Sequence, residues 1–261
     1  MYEFKLTSMP TALKREIKNL PIEVVEESFK RRRSWLLYSY KDISKLLRLH
    51  NVEFIKERVE DTGWDTRWRN YLQDGWLTDN VYYCFEPKKF DDGRKVIEIN
   101  PALAFGTGGH ATTQIAARLL EPIAKGHDVL DIGTGSGILA ILASLSGAKR
   151  VFACDIDAVA IKNASENVSI NRCSNVHLWA GGVESTSTEF RPGIVVANII
   201  SSVLAKIHPQ IITLHPEYII YSGILQREGC EFFSVLKTHG YEPDAVLHIE
   251  EWSGIRLKRV I

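Results

Sequence analysis

Hydrophobic and polar positions alternate over short distances in the first 59 residues. Strand-like alternation and helix-like spacing follow one another there in the order βαββαβ, which is typical of a ferredoxin-like split arrangement. The predicted strands are residues 2–7, 22–29, 34–40 and 52–59, and the predicted helices are residues 11–20 and 42–49. Residues 30–33 are charged, and we expect this segment to form a solvated hairpin turn rather than a phosphate contact. We therefore predict a small domain over residues 1–59.

From residue 127 onward, short buried strands alternate regularly with amphipathic helices. Repeated βα units indicate a doubly wound, mainly parallel sheet with helices on both faces, that is, a Rossmann-like α/β fold. The predicted strands are residues 128–131, 150–155, 176–180, 194–198 and 218–221, with two closing strands at 245–249 and 256–260. The predicted helices between them are residues 138–145, 158–170, 201–214 and 227–238.

The segment between these two regions has a different pattern. Residues 60–80 read as a linker in which Trp64, Trp68 and Trp76 stand at helical spacing among charged residues. The tryptophans either pack a linker helix against the main domain or form a substrate-facing aromatic surface. Two further strands are predicted at residues 81–85 and 95–99, so the main domain is expected to cover residues 81–261.

Composition narrows the class of protein. The chain has 32 Lys+Arg and 32 Asp+Glu, and this absence of net charge argues against direct DNA binding. Residues 1–60 hold 13 Lys+Arg against 9 Asp+Glu, so the acidic excess lies in the rest of the chain. The four cysteines show neither zinc-ligand nor disulfide spacing, and no apolar run approaches a membrane span. These features predict a soluble, cytoplasmic protein without a metal site.

A glycine-rich turn follows the first strand of the α/β region. Residues 129–137 read VLDIGTGSG, in which the strand ends at Asp131 and Gly133, Gly135 and Gly137 precede a helix. Glycines allow the sharp turn and bring backbone N–H groups close to a ligand. A GxGxxG dinucleotide fingerprint fails here, because isoleucine stands at the position of its third glycine. An acidic residue two positions before the first glycine also suits a ligand that presents an ammonium group.

Two later strands end in polar side chains at the same edge of the predicted sheet. Asp155 ends the second strand, where a carboxylate can accept hydrogen bonds from both hydroxyls of a ribose. Asp157 is better explained as the N-cap of the helix over residues 158–170. Asn198 ends the fourth strand, and its amide could orient an amine substrate, cap the next helix, or do both.

These residues together resemble the class I S-adenosylmethionine-dependent methyltransferases over residues 127–261. In that superfamily the glycine-rich motif approaches the methionine part of the cofactor, and the second acidic residue binds its ribose. The stretch Asn198-Ile199-Ile200 departs from the NPPY sequence of DNA-adenine and glutamine methyltransferases. This departure argues against those two substrate classes.

A more specific resemblance lies upstream, where residues 100–113 read NPALAFGTGGHATT. This loop is similar to the signature DPGLAFGTGTHPTT of the PrmA family of ribosomal protein L11 methyltransferases, with Gly109 in place of the usual Thr and Ala111 in place of the usual Pro. Further matches are VLDIGTGSGILAI at 129–141, DIDAVAIKNASENVSIN at 155–171, VVANII at 195–200, SGIL at 222–225 and EEW at 250–252. A small ferredoxin-like domain before a Trp-bearing linker is also that family's architecture.

The resemblance implies an S-adenosylmethionine-dependent protein N-methyltransferase that acts on lysine ε-amines, an α-amine, or both. It implies ribosomal protein L11 as the substrate, and Asn198 as the residue that steers the amine. The implied cofactor-binding residues are Phe105, Gly106, Thr107, Thr112, Thr113, Asp131, Gly133, Gly135, Asp155 and Asn198.

Several alternatives remain open at this stage. Thr112 and Thr113 could instead cap a helix over residues 114–120, and His110 could act as a base or fix the loop by a hydrogen bond. The substrate could be another protein amine or a small-molecule amine. The chain could also be a cofactor-binding module without turnover, although the intact motif residues argue against this.

Overall fold

The structure is a computed structural model that describes residues 2–17, 22–29, 32–39, 42–58, 73–91, 93–100, 106–187, 189–235 and 240–260. The chain divides into two compact units, Met1–Leu72 and Gln73–Ile261. This division falls within the segment that the sequence predicts as a linker. The predicted domain limits at residues 59 and 81 stay predictions.

The described residues of the first unit contain four strands and two helices. In chain order they are β1 (Tyr2–Leu6), α1 (Thr11–Ile17), β2 (Ile22–Phe29), β3 (Arg32–Ser39), α2 (Ser44–Leu49) and β4 (Phe54–Arg58). The strands form an antiparallel sheet in the order β2-β3-β1-β4. The buried centre of this unit includes Phe4, Leu6, Leu13, Leu37 and Leu47. The element order is the βαββαβ order that the sequence pattern predicts.

The hairpin of the first unit corrects one prediction. Arg32 pairs with Phe29 and Arg33 pairs with Ser28, so both arginines belong to β3 rather than to a turn over residues 30–33. The pairing brings Phe29 opposite Arg32, so the ladder continues into residues that the sequence pattern assigned to the turn. Arg31 lies outside the described residues.

The second unit contains ten strands and five helices. Its strands are β5 (Gly75–Trp76), β6 (Val81–Cys84), β7 (Lys95–Glu98), β8 (Asp128–Ile132), β9 (Arg150–Asp155), β10 (Val176–Ala180), β11 (Ile194–Asn198), β12 (Tyr218–Leu225), β13 (Tyr241–Ile249) and β14 (Trp252–Arg259). Its helices are α3 (Ala111–Leu120), α4 (Ile138–Leu145), α5 (Ala158–Ile170), α6 (Ser201–Thr213) and α7 (Gln226–Val235). These counts refer to the described residues.

Seven of these strands form one sheet in the order β10-β9-β8-β11-β12-β14-β13. The five strands from β10 to β12 are parallel, and β14 and β13 complete the sheet antiparallel. The chain runs outward from β8 in one direction and returns through β11 in the other, so the switch point lies between β8 and β11. The predicted doubly wound α/β fold is confirmed.

Alternate residues of the central strands supply the two hydrophobic clusters of this unit. Ile194 and Val196 of β11 belong to the cluster that includes α3 and α4, whereas Val195 and Ala197 belong to the cluster that includes α6. A strand that buries both sets of side chains reads as a continuous apolar run. This explains why the segment IVVAN predicts an interior strand so well.

The outer strands differ from the prediction in length. β12 extends to Leu225, beyond the predicted end at residue 221, because its pairing with β14 resumes at Ile224 after a register shift. Gly223, with a φ of 86°, lies within that shift. β13 and β14 likewise begin four residues before their predicted starts. The glycine and the register shift hide the continuation from a reading based on alternation alone.

Strands β5, β6 and β7 form a separate three-stranded sheet. Trp76 lies in β5, so it does not belong to the linker helix that its spacing suggested; Trp64 and Trp68 lie outside the described residues. The Trp76 ring packs edge-on against the Tyr82 ring, and the two ring centroids are 5.3 Å apart. Among the described residues, no helix is both long and apolar enough to span a membrane.

Candidate active site

A cavity of about 580 Å³ lies at the carboxyl ends of strands β8 to β11. Its lining includes the glycine turn after β8, Asp155 at the end of β9, the segment after β10 and Asn198 at the end of β11. This is the switch point of the sheet, where doubly wound folds bind their ligands. Topology therefore assembles residues that lie far apart in sequence.

The glycine turn depends on backbone conformations that favour glycine. Gly133, Gly135 and Gly137 have φ values of 72°, 56° and 84°, and the first two line the cavity. The N–H groups of Gly133 and Thr134 both donate to the carbonyl of Cys154, at 2.8 and 3.0 Å. A side chain at residue 137 would approach the Cβ of Ala164 to 3.1 Å, so glycine there permits close packing of α4 against α5.

Asp155 joins the glycine turn to the end of β9. Its Oδ2 accepts a hydrogen bond from the N–H of Gly135 at 3.0 Å, and its Oδ1 accepts one from the N–H of Asp157 at 3.0 Å. The carboxylate is thereby held at the cavity wall with lone pairs left to accept from hydroxyl groups. Asp157 caps α5 by accepting from the N–H of Val159 at 2.8 Å, which confirms the capping interpretation.

Asp131 lies beneath the turn rather than on the cavity wall. Its side chain is 1% exposed; Oδ2 accepts from the hydroxyl of Thr134 at 2.6 Å, and Oδ1 has no hydrogen-bond partner among the described residues. Burial, reinforced by the neighbouring Asp155 carboxylate, raises the pKa of Asp131 to about 7. The predicted contact of Asp131 with a ligand ammonium group stays a prediction.

The loop before α3 is tied to the glycine turn. The hydroxyl of Ser136 donates to the carbonyl of Gly106 at 2.6 Å. Phe105 lies outside the described residues, and the cavity lining includes neither Gly106 nor Thr107. The structure therefore brings this loop beside the site, while direct cofactor contacts by Phe105, Gly106 and Thr107 stay predictions.

His110 is the N-cap of α3, which corrects one alternative for the threonines that follow it. The helix begins at Ala111, and the N–H of Thr112 donates to Nδ1 of His110 at 3.3 Å. The same nitrogen lies 2.8 Å from Oγ1 of Thr112. Thr112 and Thr113 are thus buried in the first helical turn and do not cap a helix over residues 114–120. This contact favours the loop-fixing interpretation of His110.

Asn198 presents an unpartnered carbonyl to this region. Its Nδ2 donates to Oγ1 of Thr113 at 3.3 Å, whereas its buried Oδ1 has no hydrogen-bond partner among the described residues. The next helix, α6, has Ile200 at its N-cap position and no side-chain cap. The helix-capping alternative for Asn198 is therefore wrong, and Oδ1 is the end of its amide that remains without a partner among the described residues.

The cavity also includes residues that the motif analysis did not single out. They lie after β10, along α6 and near β14: Gly181, Gly182, Val183, Glu184, Ile200, Val203, Ile207 and Trp252. Glu184 accepts from the N–H of Gly182 at 3.1 Å, and its carboxylate occupies the space that a side chain at residue 182 would need. For the residues after β10 and β11, the available signal was their position after parallel strands, since such strands end at the same edge; Trp252 instead begins the antiparallel strand β14.

Two asparagines of α5 and the asparagine at its C-cap hold the segment that leads into the loop. Asn163, Asn167 and Asn171 are spaced by four residues and lie on one helix face. Asn171 donates to the carbonyl of Glu98 at 2.7 Å and accepts from its N–H at 2.9 Å. Asn167 accepts from the N–H of Asn100 at 2.7 Å and donates to the carbonyl of Ser136 at 2.8 Å. The loop entry and the glycine turn thus share one anchor.

Comparison with known proteins decides the family. The family described as Ribosomal protein L11 methyltransferase (PrmA) matches residues 15–260. The chain belongs to the PrmA family. This confirms the resemblance that the loop over residues 100–113 carries.

Individual PrmA family members agree with this assignment. A ribosomal protein L11 methyltransferase from Acetivibrio thermocellus is 37% identical over 209 residues, which are 77% of this chain and 65% of that protein. One from Streptococcus pneumoniae serotype 2 is 33% identical over 84% of this chain and 71% of its own length. The chain thus spans about two thirds of the length of these curated relatives. A crystal structure of ribosomal protein L11 methylase from Lactobacillus delbrueckii subsp. bulgaricus has 28% identity and a TM-score of 0.66, covering 73% of this chain and all of the other.

Proposed function

We propose that this PrmA family member transfers methyl groups from S-adenosylmethionine to amines of ribosomal protein L11, namely lysine ε-amines, an α-amine, or both. The observation that carries the proposal is the position of Asn198: its buried Oδ1 lacks a partner among the described residues, and Asn198 lines a cavity that also contains the glycine turn and Asp155. Family membership names the substrate, since the PrmA relatives are ribosomal protein L11 methyltransferases.

The cavity residues fit S-adenosylmethionine by their chemistry. Asp155 offers a carboxylate to ribose hydroxyls, and Ile132, Val183 and Ile207 offer apolar surface to a flat base. Asp155 and Glu184 are acidic, and no Lys or Arg occurs among the described residues that line the cavity. A cationic sulfonium is therefore a better match than the phosphates of a dinucleotide.

Bound S-adenosylmethionine would supply an activated methyl group, so the protein must chiefly position the attacking amine. The hydrogen bond to Thr113 fixes the amide of Asn198, which leaves Oδ1 to accept an N–H from the amine and orient its lone pair. Lysine has an ordinary pKa of about 10.4 and must lose a proton before attack. The apolar lining disfavours the ammonium form, and the proton can leave to water.

Two other assignments have distinct consequences. A different amine substrate leaves S-adenosylmethionine binding and methyl transfer intact but changes the acceptor. A cofactor-binding module would bind S-adenosylmethionine without transferring its methyl group. The proposed substrate is a ribosomal protein, so we place the reaction in the cytoplasm, with no direct role for DNA or membrane.

The test combines calorimetry with a methyl-transfer assay on the full chain. We expect S-adenosylmethionine to bind the purified protein, and labelled methyl groups to appear on ribosomal protein L11, where intact mass gives the number added. Other ribosomal proteins serve as controls. Binding without transfer to any of them would overturn the enzymatic proposal, and transfer to a different protein alone would overturn the substrate.

A further inference from the structure

The ring of Tyr83 lies directly under the loop that precedes α3. Tyr83 belongs to β6 and is only 4% exposed. A Cβ built on Gly108 would lie 2.7–2.9 Å from Cγ, Cδ2 and Cδ1 of the Tyr83 ring, and one on Gly109 would lie 3.2 Å from its hydroxyl oxygen. Two consecutive glycines therefore follow the length of one buried tyrosine.

Another glycine, Gly75, also lies close to the Tyr83 hydroxyl. Gly75 pairs with Tyr83 across β5 and β6, and a Cβ there would come within 2.9 Å of the same hydroxyl oxygen. Gly75 and Gly109 thus both lie beside the hydroxyl end of Tyr83. Since a Cβ at either position would be closer to this oxygen than ordinary van der Waals contact allows, neither position accepts a larger residue unless the tyrosine moves.

Gly109 and Ala111 are two of the four positions at which residues 100–113 depart from the usual PrmA signature, and both lie at the end nearest α3. Ala111 is the first residue of α3, a position where proline would pre-set the helical φ. A threonine at residue 109 would place its side chain against the hydroxyl of Tyr83. This chain thus lacks the threonine and the proline that the usual loop has at residues 109 and 111. The buried ring of Tyr83 lies beneath the same part of the loop.

We propose that Tyr83 is a positioning residue, whose ring supports Gly108 and Gly109 and so holds the His110–Thr113 segment against the cofactor cavity. The inference rests on the proposed function, which names S-adenosylmethionine as the ligand. The positioning itself is argued from the packing of Tyr83 against the two glycines. The tyrosine hydroxyl occupies the space that a side chain at residue 109 would need. The glycine at residue 109 and the hydroxyl of Tyr83 therefore depend on each other.

The test is a double-mutant cycle with Gly109→Thr and Tyr83→Phe, which removes only the hydroxyl. Calorimetry with S-adenosylmethionine gives Kd, and thermal unfolding without ligand gives Tm. We expect Gly109→Thr to raise Kd about tenfold, a typical result of overpacking near a site, and Tyr83→Phe to restore most of this loss. An equal loss in both backgrounds, or no loss in either, overturns the proposal.

Two control variants separate positioning from stability. Gly108→Ala meets the ring carbons rather than the hydroxyl, so Tyr83→Phe should not rescue it. Tyr82→Ala removes the neighbouring ring, which packs edge-on against Trp76 and Phe90; we expect a lower Tm with unchanged Kd. Tyr83→Ala, which removes the ring under Gly108 and Gly109, should raise Kd. If Tyr82→Ala raises Kd as much, Tyr83 has no special role.

Failure of this positioning proposal can be distinguished from failure of the proposed function. If the unmutated protein binds no S-adenosylmethionine, the proposed function falls, while the Tm values of the same cycle still report on the pair. A recovery of Tm in the double variant then supports the packing relationship. Additive Tm losses contradict it.

Discussion

Nδ2 of Asn198 donates a hydrogen bond to Oγ1 of Thr113, 3.3 Å away and 85 residues earlier in the chain. This contact joins the carboxyl end of β11 to the first turn of α3, so the loop before α3 and the switch point of the sheet form one site. It also fixes which end of the amide remains for a ligand, because only Oδ1 lacks a partner among the described residues.

Asn198→Ala should lose most of its turnover while leaving cofactor binding intact. The substitution removes the acceptor that orients the amine, and a misplaced nucleophile typically costs roughly a hundredfold in rate. The measurements are kcat on ribosomal protein L11 and the Kd of S-adenosylmethionine by calorimetry. Asn171→Ala is the matched control, since that asparagine anchors Glu98 and should affect Tm rather than kcat. Equal activity of Asn198→Ala and the unmutated protein would remove Asn198 from the site.

Asp155→Ala should weaken S-adenosylmethionine binding by about tenfold or more, as expected for the loss of charged acceptors to two ligand hydroxyls. Asp155→Asn keeps an acceptor for the N–H of Gly135 and should preserve more of the affinity. Asp157→Ala, which removes only the cap of α5, should lower stability by about 1 kcal/mol without changing Kd. Calorimetry that gives all three variants the affinity of the unmutated protein would refute the assignment of Asp155.

The sequence predicts most of the α/β unit because its signals are local. The segment IVVAN is apolar on both strand faces, and the glycine turn and Asp157 have conformations that their residue types favour. Helices α4 and α5 begin and end at the predicted residues. The hydrophobic pattern predicts the fold but not the function. The function is indicated by the resemblance of the loop over residues 100–113 to the PrmA signature.

The residues that the sequence analysis missed depend on contacts between distant segments. Nothing local distinguishes Glu184, which reaches the cavity because it follows the carboxyl end of β10. The EEW match includes Trp252 but does not show that this first residue of the antiparallel β14 lines the cavity. Tyr83 reads as an ordinary strand residue until its ring is seen beneath Gly108 and Gly109. The cap of α3 was missed because histidine is not among the preferred N-cap residues.

Gly223→Ala should destabilise the protein more than an equivalent change at Gly126. The two glycines have similar φ values, 86° and 81°, so both substitutions incur a left-handed backbone strain of about 1–2 kcal/mol. A Cβ at residue 223 would in addition lie 2.5 Å from the carbonyl oxygen of Ile199, whereas one at residue 126 meets nothing within 4 Å. We expect a further loss of about 1–3 kcal/mol from overpacking.

Denaturant unfolding of both variants checks this difference. Because Gly223 also lines the cavity, Gly223→Ala should raise the Kd of S-adenosylmethionine, and Gly126→Ala should not. Equal free energies of unfolding for the two variants would show that the contact with Ile199 relaxes without cost.

Asp131 should make the ligand-free protein less stable as pH rises from about 4 to 7. Its pKa is raised from 3.8 to about 7 in the folded state, first by burial and then by Asp155. Between these two values the folded protein binds a proton that the unfolded chain has lost, so stability decreases with pH, by up to about 1.4 kcal/mol per pH unit. Above about pH 7 both states are ionised and the loss is complete.

Asp131→Asn isolates this effect, because asparagine can keep the acceptor for Thr134 but does not titrate. The free energy of unfolding of the unmutated protein, minus that of Asp131→Asn, should fall steadily from pH 4 to pH 7 and then stay constant. Asp128→Asn is the control of opposite sign: the hydrogen bond from Arg150 lowers the pKa of Asp128, so its contribution is present above pH 4 and is lost only in acid. A flat difference for Asp131→Asn across this range would mean that Asp131 is ionised in the folded protein and that its buried Oδ1 has found a donor.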